Sequence, residues 1–439
     1  MWALRWSGLL LVFVAACEAR FVPAPAESDP SGDGAGAPSE PTGTEAGKGG
    51  TGGSGGGGVS GKGGAGTEGG RPGSSAGDGG TPPGGAPGCE ALAEVGVFQE
   101  ITPPEVKAGL GQRSAAGDIQ AGPFSLEIDP IRHGTYYVGT EHQGLWKSTD
   151  CGDHWVAIAT GKNGASINRG INWTLAIDHG SPDTLYTSAA YSAEGLFKST
   201  DGGVSWNDIW SSKTQPELSK AFEYNFVHQL VVDPRDARHL LLTMHESCQP
   251  PHSGTCILES EDAGATWQLH EGDASWEPDS SATVHFLGEA GTWLVAAQTN
   301  GMWRTTDFGQ TWARLEAMIG NPQAQVALLE AADGAFYLGG SDGLWRSPDG
   351  GLDTWELIPD SGPFVAGLAS DGKALFASNC YAEDYCEQPR YLTSNDGKTW
   401  EPMSGVPELS NGGLLRYDAG HRLLVSSNGR AGVWRVRVP

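Results

Sequence analysis

The chain has 439 residues, 67 of them glycine, and a formal net charge of −26 at neutral pH. Residues 1–88 hold eight acidic and five basic side chains, so residues 89–439 carry 45 acidic against 22 basic, a net −23. Such a surface lacks the basic footprint that phosphate binding requires, which excludes a nucleic-acid partner and disfavours direct binding to an anionic membrane. The chain opens with one positive charge, Arg5, and an apolar run from Leu9 to Ala16. That run is shorter than the about 20 residues a membrane-spanning helix needs, and it fits the n- and h-regions of a secretory signal. Further on, residues 32–88 contain 26 glycines in 57 positions, no aromatic residue and one branched aliphatic, Val59. A segment of this kind buries too little apolar surface to offset the entropy of ordering, so a disordered Gly-rich tether is expected. Over residues 18–88, a flexible coil would separate its ends by about 45 Å.

The signal ends in Val14-Ala15-Ala16-Cys17, which resembles a bacterial lipobox. The resemblance implies cleavage before Cys17 and lipidation of that residue. The product is a protein exported and lipid-anchored to the bacterial cell envelope, at the outer membrane or cell surface. The expected domains are a signal peptide over 1–16, the lipidated Cys17 with its linker over 17–88, and a folded domain over 89–439. Six further cysteines, an even set, point to three disulfides in an oxidising compartment. Two pairs are local, Cys248–Cys256 and Cys380–Cys386, which leaves Cys89–Cys151. None has the C-x2-C spacing typical of zinc sites, so no metal and no cofactor is expected.

Six segments then repeat one another: GLWKSTDCGDHW (144–155), GLFKSTDGGVSW (195–206), ILESEDAGATW (257–267), GMWRTTDFGQTW (301–312), GLWRSPDGGLDTW (343–355) and YLTSNDGKTW (391–400). Their aspartates, Asp150, Asp201, Asp262, Asp307, Asp349 and Asp396, are separated by 51, 61, 45, 42 and 47 residues. That period is the length of a four-stranded propeller blade. In each, an alternating strand leads to an Asp/Gly turn, where Asp accepts backbone N–H groups and Gly supplies a positive φ. A Trp opens the return strand. Upstream of each hairpin stand two apolar strands joined by a short turn, as in SLEIDPIRHGTYYVGT (125–140). Every unit therefore reads as strands a, b, c and d. The C-terminal stretch from 414 to 438 supplies a, b and c alone, and VFQEIT (97–102) supplies a d strand at the domain's start. The expectation is an all-β, seven-bladed propeller whose ring is closed by the N-terminal strand in the last blade, which removes an exposed sheet edge.

These repeats resemble the BNR or Asp-box propellers: sialidases, family 74 glycoside hydrolases, sortilin-type receptors and photosystem assembly factors. The resemblance spans residues 96–439 and implies a fold, because the box is a structural turn shared by enzymes and non-enzymes. The six box aspartates and the tryptophans that follow them are read as structural.

Strand direction puts the short a–b and c–d turns on one face and the long b–c and d–a loops on the other. Long loops over a rigid scaffold are where binding residues concentrate. On that face the aromatic candidates for ligand binding are Trp173, Tyr191, Trp210, Tyr224, Trp276, Tyr381 and Tyr385, whose rings can stack on sugars. The carboxylate candidates for catalysis are Glu141, Glu194, Glu246, Asp279, Glu383 and Asp384. A glycoside hydrolase needs two such groups about 5–10 Å apart. Family 74 enzymes place a catalytic Asp in a corner of a first blade similar to that of Glu141 and work with two propellers. The arginine triad of sialidases has no counterpart in a recognisable context. The reading drawn from these features is a monomeric, non-catalytic propeller that binds a glycan or a surface protein on its long-loop face and meets the membrane through its lipid anchor only. The alternatives are a glycoside hydrolase using the upper-face carboxylates and a structural scaffold.

Overall fold

The computed structural model describes residues 89, 92–113, 120–191, 193–252, 254–277, 282–297, 299–316, 328–379, 391–407 and 413–439. Their strands form seven four-stranded antiparallel sheets, six of them in sequence order from the inside outward. The first blade is Gly122–Ile128, Tyr136–Glu141, Leu145–Ser148 and Val156–Ala157. The second runs from Leu175–Ile177 to Asn207–Trp210, the third from Val227–Asp233 to Gln268–Glu271, and the fourth from Thr283–Phe286 to Ala313–Arg314. The fifth and sixth end in Glu356–Leu357 and Glu401–Pro402. The seventh takes Leu414–Asp418, Leu423–Ser427 and Val433–Arg437 from the C-terminal end and Phe98–Glu100 as its outer strand. Phe98 pairs with Val436, Gln99 with Arg435 and Glu100 with Trp434, as the strand count requires. Among the described residues, no helix is long and apolar enough to cross a membrane.

The turn chemistry recurs in all six boxes. In the first, the Ser148 hydroxyl donates to Asp150 Oδ1 at 2.8 Å, while Ser148 Oγ accepts the Gly152 N–H at 2.8 Å and Asp150 Oδ1 accepts the His154 N–H at 2.9 Å. Gly152 takes φ +93°, and a Cβ there would press on the Ile101 side chain. The Thr311 hydroxyl and backbone N–H hold the Asp307 carboxyl below the usual carboxylate range. The box tryptophans do more than support their own turns. Trp155 donates to the Ile101 carbonyl at 2.7 Å and Trp267 to that of Ile209 at 3.0 Å. Each thus bonds to the outer-strand region of the preceding blade. The apolar core accordingly lies between blades: Tyr137 and Leu145 of the first blade pack with Leu185, Phe197 and Trp206 of the second. Outer strands such as Val156–Ala157 and Glu356–Leu357 are two residues long and exposed, which blunts edge pairing.

Ring closure is reinforced by buried polar groups. Arg435 donates to the Cys151 carbonyl at 2.7 Å and to Asp153 at 2.8 Å, joining the last blade to the first. Fully buried Asp418 accepts the Gly134 N–H and the Tyr136 hydroxyl, both at 2.9 Å. The Cys89–Cys151 disulfide, with Cα atoms 5.3 Å apart, fixes the segment leading into the closing strand.

Candidate functional site

The long-loop face is organised around three neighbouring corners. Glu141, the last residue of strand b in the first blade, bridges Ile171 by backbone pairing, and Ile171 bridges Ala190 at the matching corner of the second blade. His245 holds the matching place in the third blade, its N–H bonded to the Phe226 carbonyl at 2.8 Å. A continuous rim thus runs across three blades.

Side chains on this rim form an aromatic cluster. Ile171, Ala190 and Phe226 are buried, with half-buried Trp173, Tyr191 and Tyr224 packed against them. Trp173 meets Tyr191 edge-on at 5.2 Å and lies over the His245 ring at 4.9 Å. Tyr191 lies 5.1 Å from Phe226, which stacks on Tyr224 at 5.5 Å. Beneath them His228 is buried, with Nδ1 3.1 Å from the Ala282 carbonyl. Burial and the neighbouring His245 push its pKa down to about 3, so it is neutral at physiological pH.

Two carboxylates flank the cluster. Glu141 is 6% exposed, and His142, in left-handed backbone conformation, bonds through Nδ1 to the Arg169 carbonyl at 2.6 Å. Glu246 places Oε1 3.2 Å from His245 Nδ1, while its Oε2 is sealed from solvent without a hydrogen-bond partner. Glu194 is engaged differently: the Ser212 hydroxyl and the Asn225 amide donate to its two oxygens, which pins the 210–226 loop to the second blade. The Cys248–Cys256 disulfide closes the third-blade loop, and Phe222 pairs with Cys248, so the 210–226 and 245–256 loops support each other.

Two aromatic expectations need correction. Trp210 is fully buried against Phe222 and Trp267, and Trp276, 4% exposed, packs on Trp303 and Trp312. Both anchor their loops into the core between blades and present no face for stacking. Asp279, Tyr381, Glu383, Asp384, Tyr385 and the Cys380–Cys386 pair lie outside the described residues, as do Cys17 and the tether.

A second feature had no sequence forecast. The inner strands enclose a cavity of ≈ 330 Å³ at the turn-face end of the central channel, reached by His179 and Pro234 from the a–b turns. Arg416 and Glu127 pair there at 2.8 Å. Each is a charged residue flanked by apolar neighbours on an inner strand, Leu415 and Tyr417 about Arg416, Leu126 and Ile128 about Glu127, and that interruption was the readable signal.

No family model matches the chain. A xyloglucanase of Paenibacillus sp. is 25% identical over 250 residues, which are 48% of this chain and 22% of the relative. A xyloglucanase of Hypocrea jecorina is 25% identical over 279 residues, 58% of this chain and 28% of the relative. This chain therefore spans less than a third of the length of these curated relatives. Among solved structures, a GH74 enzyme of Niastella koreensis superposes with TM-score 0.54 at 18% identity, covering 72% of this chain and 53% of the other, a likeness of fold. These relatives overturn the expectation of a non-catalytic binder: the proteins that share sequence with this chain are named as hydrolases.

Proposed function

We propose that this propeller is a glycoside hydrolase acting on xyloglucan or a similar polysaccharide. The observation that carries the reading is the sequence similarity to xyloglucanases, joined to a nearly buried carboxylate, Glu141, at the first-blade corner of an aromatic rim. Sugar rings would stack on the half-buried Trp173, Tyr191 and Tyr224. Glycoside cleavage then needs one carboxyl to protonate the leaving oxygen and a second to activate water or attack the anomeric carbon. We assign these roles to Glu141 and Glu246, with His245 orienting the latter. They stand on the first and third blades, with Trp173 and Tyr191 of the second between them. Their separation decides the stereochemistry: about 6.5–9.5 Å leaves room for a water and gives inversion, about 5–5.5 Å gives retention.

The lipobox and the tether suggest the setting: an anchored enzyme held clear of the headgroups, within reach of insoluble or surface-bound glycans. Incubation of the purified protein with xyloglucan, mixed-linkage glucan and cellulose, read by reducing-end release and by the anomer of the first product, tests the proposal. Release from xyloglucan is expected, and the product's anomer reports the separation of the two carboxyls. A folded protein that releases nothing from the whole panel defeats the reading.

A further inference from the structure

At the seam where the ring closes, three segments converge that the sequence keeps far apart. Cys89 precedes the closing strand, Cys151 lies in the c–d turn of the first blade, and His421 lies in the a–b turn of the seventh. The two sulfurs and one ring nitrogen of His421 all lie within 4.8 Å of one another. His421 is held by a buried carboxylate: its Nδ1 is 3.0 Å from Asp418 Oδ2, and Asp418 is fully buried. Such a bond fixes the ring's tautomer and leaves Nε2 as the free donor, the arrangement that supports metal-binding histidines. Room is provided by Gly134, at φ +81°, where a Cβ would stand 3.2 Å from each sulfur and 3.3 Å from His421 Cε1.

The structure shows these cysteines as a disulfide. We propose that, once the disulfide is reduced, Cys89, Cys151 and His421 form a site for a thiophilic divalent ion of the zinc class, with water in the fourth position. Two soft sulfur donors and one imidazole select zinc-like ions over calcium or magnesium. A dithiol supplies the two electrons: its own sulfurs join in a disulfide, and its two protons pass to Cys89 and Cys151. The ion then displaces both thiol protons to solvent and is held by two thiolates, so the metal and its sulfur ligands together carry no net charge. The seam is stapled in either state, by a covalent bond under oxidising conditions and by an ion under reducing ones.

The test uses the full-length chain, reduced with a dithiol and desalted without oxygen, with cobalt(II) as the probe. Reduced protein should take up cobalt with thiolate-to-metal charge-transfer absorption, and oxidised protein should show none. Cobalt bound through other cysteines persists in Cys89→Ser and serves as the baseline. Above that baseline, His421→Ala should bind at least about tenfold more weakly. Zinc should also raise the urea midpoint of the reduced wild-type chain, a reading that needs no variant. Equal cobalt spectra for wild type, Cys89→Ser and His421→Ala, or a reduced wild type whose midpoint ignores zinc, would overturn the proposal.

Discussion

Glu259→Gln probes the polar seam between the third and fourth blades. Glu259 accepts from His239 Nε2 and from His270 Nε2, both at 2.7 Å, and His239 Nδ1 reaches Asp233 Oδ2 at 3.1 Å. Arg235 extends the chain from Asp233 to the Gly288 carbonyl of the fourth blade, and both imidazoles pack on Trp293. Burial alone would raise the Glu259 carboxyl, but the hydrogen bonds from His239 and His270 outweigh it and draw its pKa from 4.5 down to about 2. At about 1.4 kcal/mol per tenfold change in acidity, the ionised carboxylate contributes at most about 3 kcal/mol. The sign follows from the depressed value: the contribution is complete above the unfolded-state pKa and fades as pH falls from about 4.5 towards about 2. His239 acts in the other direction. Burial lowers its pKa, the two carboxylates raise it further, and its contribution is lost as pH climbs through the raised value. Glutamine keeps the shape and one acceptor but not the charge. Urea unfolding at pH 6 should show the variant less stable by about 2–3 kcal/mol, with the gap to wild type narrowing below pH 4. Equal stability at pH 6, or a gap that widens in acid, would refute this account of the seam.

Other outcomes follow from the same structure. Trp206 is fully buried and bonds to the Gly203 carbonyl at 2.9 Å, so Trp206→Ala should lower unfolding stability by about 3–5 kcal/mol in urea. Trp210→Ala and Trp276→Ala should likewise destabilise the fold, whereas Trp173→Ala should mainly raise KM for polysaccharide, because Trp173 is half-buried on the rim. Opening the short Cys248–Cys256 loop with a double serine variant should cost about 2.5 kcal/mol on the chain-entropy model. Limited proteolysis should then cut first between residues 245 and 256.

What was legible in the sequence was local. Ser148, Asp150 and Gly152 build their turn within five residues, so repetition of that chemistry announces a blade wherever it occurs. Ring closure was also readable, because the last unit lacks a d strand and residues 97–102 supply one. The roles of the tryptophans were not. Trp173 and Trp210 both flank the loops of the second blade, yet one lies on the rim and the other is sealed against Trp267 of the third blade. That difference is decided by how neighbouring blades meet, which no spacing records. The same holds for His421, which closure of the ring brings beside the forecast Cys89–Cys151 pair.

The central claim is that Glu141 takes part in cleaving a glycosidic bond. The most direct measurement is the rate of reducing-end release from xyloglucan by wild type and Glu141→Gln, with matched circular dichroism to establish equal folding. The account predicts steady release by wild type and a rate about 10²–10⁴-fold lower for the variant. Equal rates for the two proteins, or no release by a folded wild type, would contradict it.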